Sequence, residues 1–175
     1  MLPPLNAPLT WKSADPAVKA LLDDLPANIL KGHGRDKTIN LFLEFKSDSI
    51  PRVKEALRQL SGQLKTAHQQ LREAEEFAKT KKDAGVVRCF FLTRKGYDAL
   101  GLAAKAPVGQ AFSDGMKARR AELLDPEPAD LDPHFRDEIH ALLLLADNNA
   151  ERLQAERDSV VESLDAVGIS VVGEE

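Results

Sequence analysis

The sequence predicts an α+β domain built on a four-stranded antiparallel sheet. Three observations predict it: four short apolar runs of strand length, amphipathic stretches of helical period between them, and turn chemistry at the joins. With 175 residues the chain has room for one domain with a real core.

The first strand is read at residues 38–45, where Ile39, Leu41, Leu43 and Phe45 alternate with polar or opposite-face residues. A helix opens at Ser49 and carries apolar residues at Ile50, Val53, Leu57, Leu60, Leu64, Ala67 and Leu71. That three-and-four spacing fits either a short coiled-coil seam or two amphipathic helices broken near Gly62 and Thr66. After a charged turn at residues 79–85, residues 86–92 form the second strand. Thr93 is placed to cap a short helix at residues 94–100 that Gly101 ends. Residues 103–133 read as a helical insertion with one helix at residues 110–124 and a stop at Pro126 and Pro128. The third strand is expected at residues 138–146, apolar on both faces and therefore central. Asp147 or Asn148 then caps a helix whose inward side is Leu153, Val160, Leu164 and Val167. Gly168 releases it into a fourth strand at residues 169–172. The order β-α-β, insertion, β-α-β is the split βαβ of a ferredoxin-like sheet, with helices on one face.

Residues 1–25 stand apart. Five of the ten prolines fall within the first 26 residues, together with one short helical pattern that Asp15 caps and Pro16 begins. Leu2, Leu5, Leu9 and Trp11 make this an apolar arm, expected to lie over a partner surface, before a domain at residues 26–175.

Composition narrows the function classes. A net charge of −4 offers no field for nucleic acid or an anionic membrane, and no apolar run approaches membrane-spanning length. The single Cys89 leaves no internal disulfide, in keeping with a cytoplasmic setting.

No motif supplies chemistry. A CxxC pair, a GxSxG elbow and a full Gly-rich phosphate loop are all missing, and Gly32 and Gly34 around His33 are followed by a strand. The four histidines, His33, His68, His134 and His140, share no i, i+3 or i, i+4 spacing. His140, in an aliphatic strand, is expected to be a core residue whose ring bonds to backbone, with ligation as the competing role. The carboxylates lie on charged faces, and Trp11 and Tyr97 read as packing aromatics. The residues thus nominate no catalytic, cofactor-binding or metal-binding position.

Several segments nevertheless resemble one family. LPANILKGHGR at residues 25–35 resembles the LQGNILKGHGR opening of bacterial DyP-type (dye-decolourising) haem peroxidases, with Ala27 where glycine is common. FLTRKGYDALGL at residues 91–102, AFSDGMKA at 111–118, IHA at 139–141 and VGEE at 172–175 are similar to further family segments in the same order. The resemblance implies the N-terminal ferredoxin-like half of a peroxidase that uses hydrogen peroxide to oxidise dyes or phenols. It places haem b, the GxxDG aspartate, the distal arginine and the proximal histidine in the C-terminal half. The Asp-Gly pair here, Asp114-Gly115, lacks the GxxDG pattern and is expected inside a helix, so no functional residue carries over.

This implies a second polypeptide bearing that half as partner, with homo-oligomers possible and the chain inactive alone. Proteolytic truncation is an alternative origin. The competing function is a stand-alone ferredoxin-like interaction or ligand-binding domain without haem.

Overall fold

A computed structural model describes residues 9–175. Leu2 and Leu5 of the expected arm lie outside the described residues. The elements run α1 (Pro16–Asp24), β1 (Lys37–Phe45), α2 (Ile50–Ser61), α3 (Ala67–Thr80), β2 (Val87–Leu92), α4 (Arg94–Ala99), α5 (Gln110–Ala118), α6 (Arg120–Leu123), α7 (Pro133–Arg136), β3 (Ala141–Asp147), α8 (Ala150–Asp165) and β4 (Ile169–Glu174). The strands form one antiparallel sheet in the order β2-β3-β1-β4, which is the ferredoxin-like arrangement. Among the described residues, no helix is long and apolar enough to cross a membrane.

Alternation along β1 sends Leu41, Leu43 and Phe45 to one face of the sheet, where they join Leu143, Leu145 and Ile169. Val53, Leu57 and Leu60 of α2 and Leu153, Val160 and Leu164 of α8 close over that face. The opposite face is different. Val87, Cys89 and Ala146 are buried there in a small cluster beside Leu144, and α7 crosses to it, with His134 stacked on Phe42 at 5.6 Å between centroids. Helices on one face therefore describes α2 and α8, whereas the insertion brings α7 around to the other.

The helix opened near Ser49 is two helices. Thr66 begins the second, its side chain accepting from the Gln69 N–H at 3.2 Å, so the coiled-coil seam does not form. Thr93 caps α4 by accepting from the Gly96 N–H, and Gly101 follows at φ 65°.

Besides small shifts at element ends, four features differ from the sequence reading. The helix expected at residues 110–124 is split, because Gly115 adopts φ 74°, ψ 169° and breaks the ladder; Asp114-Gly115 therefore marks a kink and not a continuous helix. The third strand opens at Ala141, since residues 138–140 serve a junction instead of the ladder. Asn149 caps α8 by accepting from the Arg152 N–H at 2.8 Å, leaving Asp147 to end the strand. Finally, β4 runs on to Glu174, with an irregularity opposite Phe42 and Leu43.

The described part of the arm packs on this chain itself. Leu22 of α1 is fully buried, and the Trp11 indole N–H donates to Glu75 of α3 at 3.1 Å. Pro26 pairs with Thr66, and the Ala27 and Ala67 N–H groups donate to Lys65 and Leu25 carbonyls at 2.8 Å each.

Candidate functional site

His140 sits where three elements meet. Its N–H donates to the Leu43 carbonyl at 2.8 Å, and its carbonyl accepts from the Thr93 N–H at 3.0 Å. The Thr93 hydroxyl donates to the Ile139 carbonyl at 2.7 Å, and the ring Nδ1 accepts from the Phe45 N–H at 2.8 Å. An Nδ1 that accepts carries no proton, so the proton of the neutral ring is on Nε2, 3.9 Å from Glu138. The side chain is thus a core histidine bonded to backbone.

His33 belongs to a braced loop. Asn28, at φ 64°, accepts the His33 N–H at 3.0 Å, and the His33 Nδ1 accepts the Arg35 N–H at 3.0 Å. The Gln70 amide, nearly fully buried, donates to the Gly32 carbonyl, and Arg35 donates to Gly85. Burial first, and the Arg35 charge second, hold the His33 pKa below the ordinary histidine value.

His68 contacts Asp23 through Nδ1 at 2.9 Å, tying α3 to α1. His134 is wedged between Phe42 and Phe135; its Nε2 is buried without a hydrogen bond and lies 3.5 Å from Glu175. These four histidines are spread over separate junctions. Among the described residues, no group of three or more His, Cys, Asp or Glu is placed to hold a metal ion.

Charged clusters brace the fold. Asp147 is fully buried, and Arg152 donates to its two oxygens at 2.5 and 2.6 Å while also reaching Asp83. The Arg152 hydrogen bonds hold the Asp147 carboxyl at about 2, and the same guanidinium lowers Asp83. Lys65, largely buried, spans Glu73 at 2.5 Å and the Ala84 carbonyl at 3.1 Å. Lys12 and Lys79 hold Glu75 at about 2 from the surface. Arg152 thus joins α8 to the end of β3 and to the loop at Asp83, Lys65 joins its loop to α3, and Lys12 joins the arm to α3. Cys89 is buried, which raises its thiol pKa and keeps it unreactive.

The haem implied by the sequence resemblance can be tested against these groups. An open hollow of about 330 Å³ lies beside Trp11, Lys31 and Glu75, and a second of about 190 Å³ beside Arg72 and Asp83. No histidine lines either one. His33 and His140 have committed Nδ1 to backbone, His134 is pinned by aromatic rings, and His68, whose Nδ1 meets Asp23, keeps Nε2 away from both hollows. The described residues do not fit an axially ligated haem. Tyr97 packs edge-on against Phe112, and Trp11 against α3, so both aromatics are structural in this arrangement.

The comparisons give the family. Residues 25–173 match the model of the DyP dimeric alpha+beta barrel domain. The chain is 37% identical over 171 residues to the multifunctional dye peroxidase DyP2 of Amycolatopsis sp., covering 98% of this chain and 36% of that protein. The solved DyP2 structure superposes with a TM-score of 0.86 over 95% of this chain and 35% of the other. A DyP-type peroxidase from Anabaena sp. gives 0.85 at 34% identity, over 90% of this chain and 34% of the other. The dye-decolorizing peroxidase of Pleurotus ostreatus, at 18% identity and a TM-score of 0.74 over 88% of this chain and 35% of the other, shares the fold. The chain spans about a third of the length of these relatives. With its ferredoxin-like sheet and the matched residues 25–173, this chain belongs to the DyP-type peroxidase family.

Proposed function

We propose that this chain is the structural part of a DyP-type haem peroxidase, completed by a second polypeptide that carries the haem. The observation behind this reading is a mismatch of coverage: 98% of the chain aligns with a dye peroxidase, yet it accounts for 36% of that enzyme. Among the described residues, no group of three or more His, Cys, Asp or Glu is placed together and no histidine lines either hollow.

In this reading haem b in the partner supplies peroxide-dependent oxidation of dyes or phenols. This chain's residues hold shape: Thr93, Gly96 and His140 fix the junction of β2, α4 and β3, and Arg152 fixes the β3–α8 turn. The complex is cytoplasmic, and homo-oligomers build on it.

The test is reconstitution. The chain is mixed with the remaining two thirds of Amycolatopsis DyP2 and haem, and the Soret band and peroxide-dependent dye oxidation are followed. Neither should arise from the chain alone, and both should arise from the mixture. A stable monomer that never associates with the haem-bearing part would instead mark a stand-alone interaction domain.

A further inference from the structure

The hollow beside Trp11 takes its walls from three separate stretches, and each is tied to α3. Leu9 and Trp11 come from the arm, Lys31 from the loop before β1, and Leu71, Ala74 and Glu75 from α3 itself. Glu75 holds the arm: its carboxylate accepts the Trp11 indole N–H at 3.1 Å and the Lys12 ammonium at 2.7 Å. Gln70 of the same helix holds the loop, donating to the Gly32 carbonyl next to Lys31 at 3.2 Å. Asn28 tightens that loop by accepting the His33 N–H at 3.0 Å. The contacts that make Trp11 structural therefore also fix its ring as one wall of the hollow. Its volume of about 330 Å³ falls within the range of small-molecule sites.

Charge around this hollow is unbalanced. Among the described residues Glu75 is the carboxylate on its wall, and both Lys12 and Lys79, the latter at 2.6 Å, bond to it. Lys31 is left over: it enters no ion pair among the described residues, and residues 1–8 contain no Asp or Glu. Three ammonium groups thus stand against one carboxylate, in a chain whose net charge is −4. Beside them Leu9, Leu71, Ala74 and the Trp11 ring offer apolar contact. A planar ring that carries an anionic group satisfies both parts, with the ring on the apolar wall and the anion on the ammonium. We propose that the hollow is a binding site for a small aromatic anion, an aryl carboxylate or sulfonate. Trp11, Leu71 and Ala74 meet the ring, and Lys31 meets the acid group. The site is independent of any haem-bearing partner, because every wall belongs to this chain.

The test uses the chain's single tryptophan, whose indole N–H gives one resonance in a nitrogen–proton correlation spectrum. The chain is titrated with naphthalene-2-sulfonate, 2-naphthoate, the uncharged 2-naphthalenemethanol and methanesulfonate, and calorimetry gives the affinities. Both aryl anions should bind saturably and move the Trp11 resonance. The alcohol should bind about tenfold more weakly, and methanesulfonate not measurably. Lys31→Glu should weaken the aryl anions about tenfold, and Lys31→Arg should retain them. The control Lys105→Glu makes the same change in net charge on an exposed residue of the insertion and should leave binding unchanged. Circular dichroism verifies that each variant keeps the fold. The site is overturned by a lack of saturable binding, by binding that leaves the Trp11 resonance in place, or by folded Lys31→Glu binding as wild type does. Equal affinity for the alcohol overturns the assignment to an anion. Binding that appears only in the double variant Leu2→Ser, Leu5→Ser makes this chain's own N-terminal residues the occupant and overturns the proposal too. Each of these outcomes leaves the proposed function standing.

Discussion

Gly96 faces the backbone of His140 so closely that a Cβ at position 96 would lie 2.0 Å from the His140 carbonyl oxygen and 3.0 Å from its carbon. Helix α4 can begin directly after β2 only because this side is bare. The neighbour is main chain, held by the Thr93 N–H, so it cannot swing away as a side-chain tip would. Gly96→Ala should therefore destabilise by about 3 kcal/mol, at the upper end for overpacking. Denaturant unfolding monitored by circular dichroism checks this, and a loss below about 1 kcal/mol would contradict the contact.

That junction shows how much of the fold was legible in the sequence. Thr93 and Gly101 announced the start and end of α4, because capping and left-handed geometry restrict residue type locally. The tight approach of Gly96 to His140 was not legible, since it depends on a residue 44 positions away in sequence. Asp147 is a different case: beside Asn148 it looked like a cap, but Arg152 engages both of its carboxylate oxygens. Gly115 was misread within a helix because one glycine of helical spacing carries no sign that it will adopt φ 74°. The sheet face carrying Phe91 was visible only as the apolar character of β2 and β3, and not as a half-open surface, because α7 reaches that face from a separate insertion.

Leu43 tests the principal core. It is fully buried in β1, with Ala141 opposite it on β3 and Val171 on β4. Leu43→Ala should cost about 2–5 kcal/mol through lost burial and a residual cavity. The shift in urea midpoint at unchanged slope reads this out; a cost under 1 kcal/mol would place the residue on a different face.

Asp147 sets an acid-dependent contribution to stability. Its carboxyl is held at about 2 in the folded chain, below the ordinary 3.8, chiefly by hydrogen bonds from Arg152. A depressed carboxyl stabilises fully above the unfolded value and loses that contribution as pH falls through the folded one. The window is thus pH 4 down to about 2. Arg152 is partly exposed, so screening limits the contribution to about 1–2 kcal/mol. Stability curves at pH 7, 4 and 2.5 should show wild type losing this increment relative to Asp147→Asn. Parallel curves for the two proteins would remove the ion pair as its source.

The placement of the four histidines makes the isolated chain a strict test of where haem binds. A ligand must offer an unprotonated ring nitrogen on an accessible wall, with its other nitrogen held by a partner. His140 and His33 reverse that arrangement, spending the unprotonated Nδ1 on the Phe45 and Arg35 N–H groups. His68, with Nδ1 on Asp23, keeps Nε2 but lines neither hollow, and His134 cannot turn without lifting α7 from Phe42. Haem titrated into the chain should therefore give no saturable one-to-one Soret shift. His140→Ala should leave that spectrum unchanged while costing about 1–3 kcal/mol, because the buried Phe45 N–H loses its acceptor. A one-to-one Soret shift in wild type that disappears in His140→Ala, with the variant still folded, would make His140 the ligand and move the haem into this chain.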